Sequence, residues 1–240
     1  MILRQQKYRM KVRLLLSDYH FGYGSNLNWS DWKKWCNERN KDPNSLKAEP
    51  GTFVLPDYEL DFHYYSGGRG GGALDVVKLR GHAVAGMLFQ VSDDGWDSLD
   101  AKEGHPNYYE RKKVQVLSEN GERRTAITYV VAPNRVEENH VPPSPNYIEI
   151  VKRAYDHYGI TKAYPWAKDQ LSASAKGKVT KSSVNHLFIY GTLREGEERS
   201  VKLSEFSSKT YKDCKIRGSL IDLRGGFPGL INGDGWVIGE

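Results

Sequence analysis

His20-Phe21-Gly22-Tyr23-Gly24-Ser25-Asn26-Leu27 is the point where an apolar run, Arg13 to Tyr23 (RLLLSDYHFGY), meets a small-residue turn. The run has the composition of a buried strand, and glycine at 22 and 24 lets the backbone approach a neighbour closely or take a positive φ. Ser25 and Asn26 stand where they could cap a following helix, expected over Trp29 to Arg39 with Trp32, Trp35 and Cys36 on one face. A strand, a tight turn and a helix start leave backbone N–H groups pointing outward, which suits a carboxylate or an anionic oxygen. The same pattern also serves as a plain connection. It is not a phosphate loop, because there is no Gly-Lys-Ser/Thr ending and the third glycine of a dinucleotide fingerprint is replaced by Leu27.

Moving outward, Thr52 to Leu60 and Glu59 to Tyr64 read as short strands about a Pro56-Asp57 turn, followed by a flexible SGGRGGG loop at Ser66 to Gly72. Ala73 to Lys78 and His82 to Gln90 read as further strands. Ser92-Asp93-Asp94-Gly95 signals a helix entry, and the helix over Trp96 to Lys102 ends at Glu103-Gly104, where glycine is the expected terminator. Glu103 thus sits at the negative end of a helix dipole. Walled by apolar and aromatic side chains, its carboxyl would have a raised pKa, as a proton shuttle near neutral pH requires. Tyr109 to Leu117 and Arg123 to Val131 form a hairpin through Asn120-Gly121, with Tyr129 in its second strand. Val141-Pro142-Pro143-Ser144-Pro145 is a stiff segment that delivers Tyr147 to a helix closed by Gly159.

The chain of 240 residues and 27.3 kDa, 38% hydrophobic, has room for one large or two small domains. A net charge of +5 spread along the chain, without aromatic residues interleaved with basic runs, gives no support to a nucleic-acid surface and suits an anionic small molecule. Two distant cysteines, Cys36 and Cys214, argue against a disulfide framework and for a reducing compartment. Seven scattered histidines make no ligand cluster, so neither a metal nor another cofactor is expected. No secretory signal or membrane span is read, and the expected location is cytoplasmic.

Tyr23-Gly24-Ser25-Asn26, Leu99-Asp100-Ala101-Lys102-Glu103-Gly104, Tyr108-Tyr109-Glu110-Arg111 and Pro142-Pro143-Ser144-Pro145-Asn146-Tyr147 together resemble the gamma-glutamylcyclotransferase family, in family order, over about Arg13 to Gly159. The resemblance implies an α+β fold, a small mixed β-barrel flanked by helices with a cavity at its mouth. It implies an enzyme that cyclises a γ-glutamyl group to 5-oxoproline and releases an amine or amino acid, with Glu103 as base and then acid. Tyr23, Gly24, Ser25, Asn26 and Leu27 would hold the glutamyl end, and Tyr109, Tyr129 and Tyr147 match aromatic positions near the site. Whether Tyr108 or Tyr109 takes the family position is open. So is the identity of the leaving amine, glutathione-related or otherwise.

Residues 187–198 (LFIYGTLREGEE) repeat the opening pattern and resemble the YGTL branch of the family, including gamma-glutamylamine cyclotransferases. Lys215 to Leu223 reads as a strand, Leu223 to Leu230 as a glycine-rich turn and Asp234 to Glu240 as the start of another strand. The expected organisation is a first domain over 12–163, a linker over 164–185 rich in Lys, Ser and Ala, and a partial second copy over 186–240. The partial copy holds no counterpart of Glu103, and a half-copy with open strand edges makes a homodimer an expectation. The alternative to an enzyme is a catalytically inactive binding or regulatory module that keeps the cavity.

Overall fold

The computed structural model describes residues 19–178, 187–203, 210–223 and 228–240. The chain divides into two compact units, Met1–Val184 and Asn185–Glu240. In the first, the apolar run is seen from β1 (Tyr19–Gly22) onward, its earlier part lying outside the described residues. The other strands are β2 (Leu46–Ala48), β3 (Phe53–Asp61), β4 (Tyr65–Ser66), β5 (Gly71–Gly72), β6 (Asp75–Val91), β7 (Tyr109–Ser118) and β8 (Arg123–Val131). β1 lies antiparallel to β6, with Gly22 opposite Met87, and parallel to β8, with His20 opposite Ile127. β6 pairs with β3, β3 with β7 and β7 with β8, so the β1–β6 pairing closes a five-stranded barrel in the order β1-β8-β7-β3-β6. Closure leaves few open edges, and β2 adds to β6 through Leu46 opposite Val91.

Two expected breaks are absent. Pro56-Asp57 does not reverse the chain, and β3 runs through it with a register shift between Pro56 and Tyr58. Ala73 to Lys78 and His82 to Gln90 likewise belong to one long strand, β6. Asp57 takes φ 60°, and its Oδ1 accepts the N–H of Gly81 at 3.0 Å, so the paired strands bend together instead of ending. An irregularity of this kind adds the twist that a closing barrel needs.

Helices cover the barrel. Ser25–Leu27 forms a short 3-10 turn, and the cap of α1 (Trp29–Asn37) is Asn28, whose side chain accepts from Asp31 N, in place of Ser25 or Asn26. Trp32 and Cys36 are buried as the spacing requires. α2 (Asp93–Glu103) starts three residues before Trp96, because Ser92 caps it by accepting from Gly95 N, and it ends at Gly104 with φ 63°. α3 (Pro145–His157) begins at Ser144, whose hydroxyl accepts from Tyr147 N, and buries Tyr147, Val151, Ala154 and Tyr155.

The expected linker over 164–185 is not one as far as it is described. After α4 (Ile160–Ala163), α5 (Ala167–Ser174) buries Ala167 and Leu171 in the barrel's core cluster. Gln170 Nε2 donates to Ala83 O at 2.9 Å and Ser174 Oγ to Leu60 O at 2.8 Å. A composition rich in Lys, Ser and Ala concealed an amphipathic helix whose small polar residues bond strand carbonyls. Residues 179–186 lie outside the described set. No described helix is long and apolar enough to cross a membrane.

In the second unit, β9 (Cys214–Asp222) and β10 (Pro228–Gly239) pair antiparallel, with Leu230 opposite Leu220. Residues 187–190, expected as a strand, are not assigned as one, although Ile189 exchanges both backbone hydrogen bonds with Glu240 at 3.0 and 2.9 Å. Most of the glycine-rich turn, 224–227, lies outside the described residues. The Ile189 and Glu240 exchange repeats the pairing of Gly22 with Met87 in β1 and β6. The residue before each partner is a glycine with one environment: a Cβ on Gly86 would run into Gly22 O and the Phe21 ring, and one on Gly239 into Ile189 O and the Phe188 ring.

Candidate active site

The turn after β1 opens on a cavity of about 740 Å³ lined by Tyr23, Gly24, Ser25 and Asn26 from the turn, Glu103 from the end of α2, and Tyr109, Tyr129 and Tyr147 from β7, β8 and α3. Eight of the nine expected site residues therefore face one space. Leu27 is the exception. Its side chain is fully buried in the core and its N–H is spent on Gly24 O at 3.1 Å, because the turn coils into a 3-10 helix that points this position inward.

Glu103 and the turn touch directly. Asn26 Nδ2 donates to Glu103 Oε1 at 2.6 Å, across 77 residues of sequence. Burial pushes the Glu103 carboxyl above its ordinary range, opposed by the Lys102 ammonium, the Asn26 hydrogen bond and the Arg69 guanidinium. The carboxyl is held through one oxygen, with burial acting against its charge and three neighbours acting for it.

The tyrosines are set by their own hydrogen bonds. Tyr109 OH donates to Leu74 O at 2.9 Å, while Tyr147 OH accepts from Leu74 N at 3.3 Å, so the two hydroxyls bracket the backbone of one residue. Tyr147 therefore keeps its own proton for another acceptor. Tyr23 OH donates to Tyr129 O at 2.7 Å, and Tyr129 OH to Asp100 Oδ1 at 2.6 Å. Burial raises the pKa of each of these phenols, which stay protonated at neutral pH. Both Tyr108 and Tyr109 line the cavity, but Tyr109 is buried within it and Tyr108 is 45% exposed.

A second layer went unread in the sequence. Asp100 accepts Arg111 at 2.8 and 2.9 Å as well as the Tyr129 hydroxyl, fixing α2 to β7 and β8 one turn before Glu103. At the mouth, Arg69 from the glycine-rich hairpin grips Asp31 of α1 with two hydrogen bonds of 2.8 and 2.7 Å, Lys102 joins them at 3.1 Å, and the guanidinium lies 5.4 Å from the Tyr147 ring centre. The β4–β5 loop is thus pinned in place; Gly72 lies so close to Val141 O that a Cβ would collide with it. Asp100, Lys102 and Arg111 stand within the quoted motifs, but nothing in their spacing shows the pairings they make, and Arg69 is marked only as an arginine amid glycines.

A family model described as "Gamma-glutamyl cyclotransferase, AIG2-like" matches residues 20–149. A gamma-glutamylcyclotransferase of Bos taurus is 25% identical over 187 residues, covering 75% of this chain and 90% of that protein. A protein of Niallia circulans named as a gamma-L-glutamyl-butirosin B gamma-glutamyl cyclotransferase is 44% identical over 55 residues, 23% of this chain, and the match spans only 35% of that protein's length. A solved structure named as a gamma-glutamyl cyclotransferase superposes with a TM-score of 0.53 at 25% identity, covering 69% of this chain and 94% of the other.

Proposed function

Since the chain belongs to the gamma-glutamyl cyclotransferase, AIG2-like family, we propose that its cavity takes a γ-glutamyl compound and converts the glutamyl group to 5-oxoproline with release of an amine or amino acid. The observation that carries this reading is the shared cavity of Glu103 and the Tyr23 to Asn26 turn, tied by the Asn26 hydrogen bond. Glu103 as carboxylate takes a proton from the substrate's α-ammonium. The freed amine attacks the side-chain carbonyl carbon, a new C–N bond closes the five-membered ring, and the old C–N bond breaks as Glu103 returns the proton to the leaving nitrogen; the second proton shed by the ring nitrogen passes to the released amine, which departs as its ammonium form. Water takes no part. Because nucleophile and electrophile belong to one molecule, holding the substrate in its ring-closing conformer supplies much of the rate. Backbone N–H groups of the turn hold the glutamyl end and stabilise the oxyanion.

The second unit is read as the opening part of another copy of the fold, on the support of the repeated pairing and the matched glycines. Activity is assigned to the first unit, whose cavity holds Glu103.

The test is a panel of γ-glutamyl amino acids, amines and peptides incubated in ¹⁸O-labelled water. Cyclisation predicts unlabelled 5-oxoproline and amine in equal amounts. Labelled glutamate would mean hydrolysis, and tight binding of panel members with no product would leave a binding module.

A further inference from the structure

The cavity of about 740 Å³ is several times what a glutamyl group fills, so most of it is left for whatever that group is attached to. On the proposed reaction, on which this inference rests, the glutamyl end lies at the turn and both nitrogens must reach Glu103. The leaving amine therefore extends from Glu103 toward the mouth. The side chains that stand there decide which amines fit.

Tyr108 is one of them. Its ring packs against Gly104, the residue that follows Glu103, so closely that a Cβ on Gly104 would stand 2.5 Å from it. The backbone beneath the ring is fixed at both ends, with Tyr108 N donating to Gly104 O at 3.0 Å and Tyr108 O accepting from Ala132 N at 2.9 Å. Arg135 steadies the ring itself, its guanidinium 4.5 Å from the ring centre and its Nε donating to Asn107 O at 3.1 Å. Even so, Tyr108 lines the cavity and keeps 45% of its surface exposed. The arginine takes one face, and the rest of a ring already held in place is open to a ligand, which loses little freedom of the protein by packing there.

Tyr64 continues this wall inward. It lines the cavity half-buried, with its ring centre 6.4 Å from that of Tyr108 and 5.5 Å, edge to face, from that of Tyr109. Because Tyr109 is buried, the three rings run without a break from the inner part of the cavity to its rim. Trp35 also lines the cavity, but Trp32 is stacked on it at 5.8 Å and the Arg39 guanidinium lies 4.9 Å from its centre. It has less ring left to offer.

We propose that Tyr108 and Tyr64 form a leaving-group subsite that selects amines carrying an aromatic ring, so that the favoured substrates are γ-glutamyl derivatives of such amines, aromatic amino acids included. The ring of the leaving group packs on the open part of Tyr108 while its nitrogen stays at Glu103. A saturated ring of the same size gains buried area alone, and an aromatic one gains the ring–ring attraction as well.

The experiment measures 5-oxoproline release by the full chain from γ-glutamyl-phenylalanine, γ-glutamyl-cyclohexylalanine and γ-glutamyl-alanine. In kcat/KM the phenylalanine compound is expected to lead, the cyclohexyl compound to follow and the alanine compound to come last by about tenfold. Tyr108→Ser is expected to cut the phenylalanine-to-alanine ratio about fivefold, and Tyr108→Phe, which keeps the ring, to retain it. No preference for phenylalanine in the unaltered protein, an unchanged ratio in Tyr108→Ser, or a ratio lost equally in Tyr108→Phe would overturn the subsite. Should Tyr108→Ser fail to fold, magnetisation transfer decides in the unaltered protein: a non-cleavable thioether analogue with a benzyl group shows a nuclear Overhauser effect to the Tyr108 ring if the contact exists, and none if it does not. Turnover of all three substrates without a phenylalanine preference sinks only the subsite. If neither these compounds nor the wider γ-glutamyl panel gives 5-oxoproline, the proposed function falls and the subsite with it.

Discussion

Glu103 is held between opposing influences: burial disfavours its charge, while Lys102, Asn26 and Arg69 favour it. The proposed action as a base requires the carboxylate, so kcat/KM is expected to fall as pH drops through a pKa raised above the ordinary glutamate range. Removing a cation raises that pKa further. Lys102→Met is therefore expected to move the acidic limb of the kcat/KM profile to higher pH, and a limb that stays put or moves down would contradict the electrostatic picture. Glu103 was legible in sequence because its neighbours describe its place, a capped helix stopped by glycine. Asp31 and Arg69 were not. Their partners lie 38 to 71 residues away, and an aspartate in a helix or an arginine in a loop carries no local sign of them.

Among the elements, the ends of β3 and β6 are clasped through one imidazole. His63 Nδ1 lies 3.1 Å from Asp61 Oδ2 and its Nε2 2.7 Å from Asp75 Oδ2. The hydrogen bonds to Asp61 and then Asp75 raise the His63 pKa from 6.5 to about 9. A folded pKa above the unfolded one stabilises fully below about 6.5, and the gain is lost as pH rises through about 9. The melting temperature is expected to decline across that window, and His63→Gln to start lower and decline less; parallel curves would dismiss the clasp. A second prediction concerns the β4–β5 loop, where Gly72→Ala forces a methyl against Val141 O. It should destabilise by about 1–3 kcal/mol in chemical denaturation, as overpacking typically does. An unchanged midpoint would mean that the loop gives way freely. The strands of the barrel could be read from their apolar runs, but β3 and β6 were each divided at a Pro-Asp or Gly signal that the fold uses to bend. α5 was missed because its buried face consists mostly of alanine, serine and one glutamine.

At the scale of the whole molecule, every proposed site residue belongs to the unit Met1–Val184, and the barrel closes within that unit. A chain ending at Val184 is accordingly expected to fold cooperatively and keep the kcat/KM of the full chain within a few-fold; loss of turnover with intact folding would show that the second unit contributes to the site. The barrel itself became legible through four short motifs taken jointly, since no single one fixes a closed sheet. The second unit's strand positions at 214–222 and 228–239 were partly visible in its sequence, while residues 187–190 match the first unit in contacts more than in assigned structure. What joins these scales is the proposed role of the carboxyl at position 103, to carry a proton between two nitrogens of one substrate. The most direct measurement is 5-oxoproline release by Glu103→Gln beside the unaltered protein, with circular dichroism and melting temperature recorded on both. The account predicts native structure and turnover reduced by about a thousandfold or more; comparable release from the two proteins would contradict it.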